Sequence, residues 1–147
     1  MAAAPTSILF ACTLNAVRSP MAEALMKHFH GRRIYCDSVG VRTDPVDPLA
    51  IEVMGELGLD IRRHHGKTFE ELTDLSYDLV ITLSPEAQHR AVELTRRMAC
   101  DVEYWPTFDP SAVEGSRDTR LDAYRHVRDE LKQRILKRFP LGGAMKD

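Results

Sequence analysis

Cysteine is scarce in this chain: Cys12, Cys36 and Cys100 are scattered, with no Cys-x-x-Cys pair. An odd, dispersed set argues against a disulfide framework or a zinc site and fits a reducing cytoplasm. Aromatic residues are few, with a single tryptophan, and no apolar run approaches the length that crosses a bilayer. The formal net charge is only −2, so the electrostatic footprint of a nucleic-acid binder is missing. Residues 1–6 are small and uncharged, without the basic start and apolar stretch of a secretory signal. No internal repeat or low-complexity segment is present. What remains is a globular composition over 147 residues, enough for one domain with a real core. The expected domain is 1–147, with loose ends at 1–6 and 141–147.

Short apolar runs alternate with longer amphipathic ones. Residues 7–12, 33–41, 79–83 and 101–105 read as strands. Helices are expected over about 20–29, 49–57, 85–98 and 119–139, with Gly58 closing the second and Ser84-Pro85 opening the third. A short helix is expected around 69–72. Pro45 and Pro48 make 43–48 a loop. This alternation predicts an α/β fold: a single three-layer domain with a four-stranded parallel sheet and helices on both faces. In such sheets ligands sit at the carboxyl ends of strands, near a topological switch point.

Cys12 stands at such an end. It follows the apolar run Ile8-Leu9-Phe10-Ala11 and lies six residues before Arg18 in Cys12-Thr13-Leu14-Asn15-Ala16-Val17-Arg18-Ser19-Pro20. A loop between a strand and a helix N-terminus offers unpaired N–H groups and the positive end of the helix dipole. That field favours the nucleophilic thiolate. Five intervening residues let the chain curl its amides around one tetrahedral oxyanion, and the planar fork of Arg18 can grip two of its oxygens. The spacing therefore predicts a phosphate-binding loop after the first strand. Ser19 reads as the helix cap and Pro20 as the first helical position. The alternative is bland: a small buried cysteine and a surface arginine.

The loop after Trp105 ends on the same face and contains Phe108-Asp109-Pro110. An aspartate over an anion site can protonate a leaving oxygen. The other Asp-Pro pairs, at Asp44 and Asp47, read as turns. His64-His65 beside Arg62-Arg63 suggests anion or metal binding, but adjacent histidines point apart and no ligand lies at metal spacing, so no metal is expected. The arginines of the last helix read as a solvated face balanced by its own acids.

With these pieces assembled, the chain resembles the low-molecular-weight protein tyrosine phosphatase family and the related thioredoxin-coupled arsenate reductases. The resemblance is carried by residues 8–12, by Arg18-Ser19-Pro20-Met21-Ala22-Glu23, by Asp37-Ser38-Val39-Gly40 and by Phe108-Asp109-Pro110. It implies that Cys12 attacks phosphorus, Arg18 holds the phosphoryl oxygens, and Asp109 is the acid and later the base. It further implies that Asn15 fixes the loop backbone and Ser19 hydrogen-bonds the sulfur, with Thr13, Leu14, Ala16 and Val17 completing the binding loop. Leu14 and Val17 stand where those phosphatases usually have glycine and a second cysteine. Ser84 and His89 stand in the region where the reductase relay has its further cysteines.

The expected activity is hydrolysis of aryl phosphate monoesters, protein phosphotyrosine above all, through a phosphocysteine and without a cofactor. The expected partners are a phosphorylated protein or a small aryl phosphate, with phosphate, sulfate or arsenate able to occupy the loop. No nucleic acid and no membrane are expected, and the chain reads as a cytoplasmic monomer or weak dimer. Arsenate reduction with an external thiol is the alternative within enzymes. A catalytically weak phosphate-binding module is the alternative outside them.

Overall fold

A computed structural model describes residues 4–141. The chain runs β1 (Ser7–Cys12), α1 (Arg18–His30), β2 (Tyr35–Gly40), α2 (Pro48–Gly55), β3 (Leu79–Thr82), α3 (Pro85–Leu94), β4 (Asp101–Tyr104) and α4 (Arg117–Arg138). Single 3₁₀ turns lie at Phe69–Glu71 and Pro110–Ala112. The sheet order is β2-β1-β3-β4 and every pairing is parallel. The chain leaves β1 to one side for β2 and returns to its other side for β3. That reversal makes the carboxyl end of β1 a switch point, and Cys12 is its last residue.

β1 is buried on both faces, as a central parallel strand must be. Ile8, Phe10 and Cys12 point into a core shared with α1, α2 and α4. Leu9 and Ala11 point the other way, against α3, Phe69 and Tyr77. The expected three layers are thus present. Met21, Met26 and Met54 are all fully buried in the first core.

Element ends differ from the sequence reading for identifiable reasons. α1 starts at Arg18 with Val17 in the cap position and no side-chain cap. Ser19 does not cap it, because its hydroxyl is held by the sulfur of Cys12. α3 stops at Leu94, four residues short of expectation, where the Thr95 hydroxyl donates back to the Val92 carbonyl at 2.6 Å. α2 begins at Pro48 because the Asp47 carboxylate accepts from the Leu49 amide at 2.8 Å. It ends before Gly58, whose φ of +77° reverses the chain. Near the N-terminus, the backbone and hydroxyl of Thr6 both donate to Asp78. The expected loose segment at 141–147 lies, beyond Leu141, outside the described residues.

The arginines of α4 are not balanced mainly by acids of their own helix. Arg117 pairs with Glu52, Arg125 and Arg128 with Glu56, and Arg138 with Glu103. They strap α4 to α2 and to the edge strand β4. Arg128 is buried and its Nη1 also donates to the Val53 carbonyl at 2.8 Å. Arg125, with Arg128 behind it, holds the Glu56 carboxyl down to about 2.

Glu56→Ala leaves the Arg128 guanidinium buried with less compensation. The expected loss is about 1–2 kcal/mol, below that of a fully buried pair because Glu56 is partly solvated. Urea denaturation should show a lower midpoint with unchanged slope. The wild-type contribution is present above the ordinary Glu56 value of 4.5 and disappears as pH falls through about 2.

Candidate active site

The segment after β2 decides the shape of the loop that follows β1. Amides of Val41, Arg42, Asp44 and Asp47 donate to the carbonyls of Cys12, Thr13, Leu14 and Ala16, at 3.1, 2.9, 3.2 and 3.0 Å. Four consecutive ties turn the loop carbonyls outward. The amides of Thr13, Leu14, Ala16, Val17 and Arg18 donate to no acceptor among the described residues. Such convergent donors, continued by the N-terminus of α1, form an anion-binding concavity.

Cys12 lies at its floor, 2% exposed. Its Sγ accepts from the Asn15 amide at 3.3 Å and lies 2.9 Å from the Ser19 hydroxyl. Asn15 Nδ2 donates to the same Ser19 oxygen at 2.8 Å, and that hydroxyl also lies 3.4 Å from the Val39 carbonyl, which accepts from it. The sulfur is thus set against one amide donor and one hydroxyl.

Asn15 is a non-glycine residue with positive φ, at 53°, and is fully buried. Its side chain holds that geometry in place. Nδ2 also donates to Ser38, while Oδ1 accepts from the Lys67 amide and from His64 Nε2, both at 3.1 Å. Because His64 Nε2 donates to Asn15, its Nδ1 faces Glu23 at 4.0 Å without a proton when neutral. Glu23 in turn accepts from Ser38. Gly40 completes the fit: a Cβ there would stand 2.8 Å from the Asn15 amide and 2.3 Å from the Arg42 carbonyl. Burial holds the His64 imidazole below its ordinary value, against the opposing pull of Glu23.

Arg18 and Asp109 meet at the mouth. Arg18 Nη1 donates to the Thr107 carbonyl at 3.0 Å, and Nη2 lies 3.9 Å from Asp109 Oδ2. Asp109 Oδ1 accepts from the amide and hydroxyl of Ser111, at 3.0 and 2.7 Å. One carboxylate oxygen is thus pinned and the other turned toward the arginine. Cys12, Arg18, Asp109, Leu14, Ala16, Val17 and Ser111 line one cleft of about 20 Å³. A water needs roughly 10–15 Å³ of such space, so the cleft encloses nothing beyond an oxyanion.

The profile of the low molecular weight phosphotyrosine protein phosphatase family matches residues 7–139. The chain belongs to that family. An arsenate reductase of Halalkalibacterium halodurans is 32% identical over 130 residues, 87% of this chain and 91% of the relative. Among solved structures, an arsenate reductase in the phosphate binding state superposes with a TM-score of 0.70 at 29% identity, over 89% of this chain and 94% of that one. The YwlE arginine phosphatase with a phosphorylated active site serine gives 0.73 at 28% identity, over 96% and 97%.

On this phosphatase-family frame, the sequence-derived candidates fall at one site with different contacts. Cys12, Leu14, Ala16, Val17, Arg18 and Asp109 line the cleft, while Asn15 and Ser19 stand behind the sulfur. Thr13 faces away, its hydroxyl donating to Ser84 at 3.0 Å. Trp105 is half-buried, packs edge-on against Phe10 and donates to Glu103. Phe108 is exposed. No cluster of metal-ligating side chains exists among the described residues.

Sequence reasoning missed the support behind Asn15. The sequence points to His64 only as an anion or metal ligand, and to Glu23 only as part of the segment that carries the resemblance. The legible signal was Asn15 itself, because a buried asparagine in left-handed geometry requires partners for all its polar atoms. Since His64 binds fewer protons folded than unfolded below 6.5, its contribution to stability is full above 6.5 and is lost as pH falls from there. His64→Asn should therefore lower the melting temperature at pH 7.5 and flatten its decline between pH 7 and 5. Calorimetry at several pH values checks both.

Proposed function

We propose that the chain is a cysteine-dependent phosphatase that hydrolyses aryl phosphate monoesters, phosphotyrosine in proteins foremost, through a phosphocysteine. One observation carries the reading: Asp109 keeps Oδ2 unpinned at a cleft whose floor is Cys12. A module that only binds anions has no use for a carboxylate there, where it repels the ligand. An acid does, because a departing oxygen needs a proton.

The steps follow from the contacts. The loop amides and Arg18 take the phosphoryl oxygens and stabilise charge as it develops. Cys12 sulfur attacks phosphorus; the S–P bond forms as the P–O bond breaks, and Asp109 gives its proton to the phenolic oxygen. Water then attacks phosphorus while Asp109 takes its proton. The S–P bond breaks, releasing phosphate and a thiolate that Ser19 and the Asn15 amide receive. A nucleophile only 2% exposed favours a phosphoryl group on a long, thin stem. A tyrosyl ring supplies that reach and a serine side chain does not.

A second reading has specific support in the arsenate reductases among the relatives. Arsenate has the same tetrahedral oxyanion geometry. In this chain no internal thiol relay is in place. Ser84, after β3, is occupied by Thr13 and by the Ala87 amide, and His89 is exposed on α3. Cys36 lies four residues from Gly40, the strand partner of Cys12. At about 3.3 Å per residue that is far beyond the roughly 7 Å a disulfide allows. Cys100 precedes the opposite end of the sheet. Reduction would need two external thiols, which become a disulfide as As(V) becomes As(III).

Hydrolysis of p-nitrophenyl phosphate near pH 6 tests the first reading. Turnover should vanish in Cys12→Ser and fall about 10²–10⁴-fold in Asp109→Ala, with KM changing less. An inert wild type that reduces arsenate with an added small thiol would replace the phosphatase reading with the second.

A further inference from the structure

A second cavity lies on the far side of the segment that carries Asp109. It is a groove of about 430 Å³ between residues 108–113 and α4. Val113, Ala123 and Val127 make its apolar part, the last two four residues apart on one face of α4. Phe108 stands at its edge, 60% exposed and continuous with that apolar lining. The rim is acidic. Asp122 and Glu130 line it beside His126, and no lysine or arginine does. Asp122 shares its charge with Arg125, whereas Glu130 has no ion-pair partner among the described residues.

The groove and the cleft share a wall. Phe108 directly precedes Asp109, and Val113 directly follows the 3₁₀ turn that contains Ser111, while Asp109 and Ser111 line the cleft. An extended chain covers about 3.3–3.6 Å per residue, so two or three residues of peptide step from one side of this wall to the other. The cleft itself holds only the oxyanion, so everything else that identifies a substrate must be read outside it.

We propose that this groove docks the peptide flanking the phosphorylated residue of a protein substrate. It takes one apolar side chain against Phe108, Val113 and Ala123, and a lysine or arginine beside Asp122 and Glu130. The proposal rests on the phosphatase reading and adds the substrate class to it. The acidic rim selects the basic residue, and the shared wall fixes its place within three residues of the phosphorylated one.

The test compares three substrates: p-nitrophenyl phosphate, a phosphotyrosyl peptide with Leu and Lys within three positions of the phosphotyrosine, and its counterpart with Ser and Glu there. The wild type should prefer the Leu/Lys peptide by about tenfold in kcat/KM, mainly through KM. Ala123→Arg fills the groove with a bulky cation and should bring the two peptides near parity, with p-nitrophenyl phosphate turnover unchanged. Glu130→Lys, at an exposed position that tolerates substitution, should act in the same direction and remove the salt dependence of the preference.

Equal hydrolysis of the two peptides by a wild type that turns over p-nitrophenyl phosphate overturns the groove and leaves the phosphatase reading intact. A wild type inert to all three overturns both. A parallel fall of all three substrates in Ala123→Arg shows that the groove acts through Asp109, and the docking proposal fails. A change of sedimentation coefficient in that variant, without a change in peptide preference, makes the groove a contact between two copies and also overturns it.

Discussion

Four backbone hydrogen bonds govern this molecule. Residues 41–47 draw the carbonyls of Cys12, Thr13, Leu14 and Ala16 outward, and the amides between them have only one direction left to face. Neither the thiol nor the guanidinium would matter without that inversion. A loop of mixed polarity would bind a phosphoryl group no better than water does. The inversion depends on β2 lying beside β1 in register, with Gly40 opposite Cys12 and without a Cβ to collide with the Asn15 amide. Sheet topology and anion recognition are therefore one construction.

Behind the loop, polarity is satisfied by a chain of hydrogen bonds centred on Asn15. Asn15 is tied to Ser19, Ser38, His64 and Lys67, and the chain continues through Ser38 to Glu23. Buried networks rigidify when every member is paired and fail when one is not. Here no buried side-chain polar atom lacks a partner among the described residues. The left-handed turn at Asn15 is maintained by its partners rather than tolerated by them. The sulfur consequently finds the Asn15 amide and the Ser19 hydroxyl already in place before any ligand arrives.

Most of the fold was legible from the strand–helix alternation, and the residues gathered at the candidate cleft from the spacing of Cys12, Arg18 and Asp109. Each of those signals is local or depends only on strand ends sharing a face. What stayed hidden was long-range. Nothing near His64 in sequence indicates that its ring meets Asn15, 49 residues away. Charge counting along α4 balanced its arginines within the helix, whereas Arg117, Arg125 and Arg138 reach acids 65, 69 and 35 residues distant. Ser19 was misread as a cap for a related reason. Its hydroxyl had two destinations, and local propensity cannot rank a backbone amide against a sulfur that the fold brings alongside.

The cleft of about 20 Å³ divides the molecule's work. Cys12, Arg18 and Asp109 share one small space, and Phe108 and the groove beyond it lie outside. Changes at the rim can then retarget the protein without disturbing its chemistry, and changes in the loop can alter its chemistry without retargeting it. A lineage built on such a plan can diversify in two independent directions.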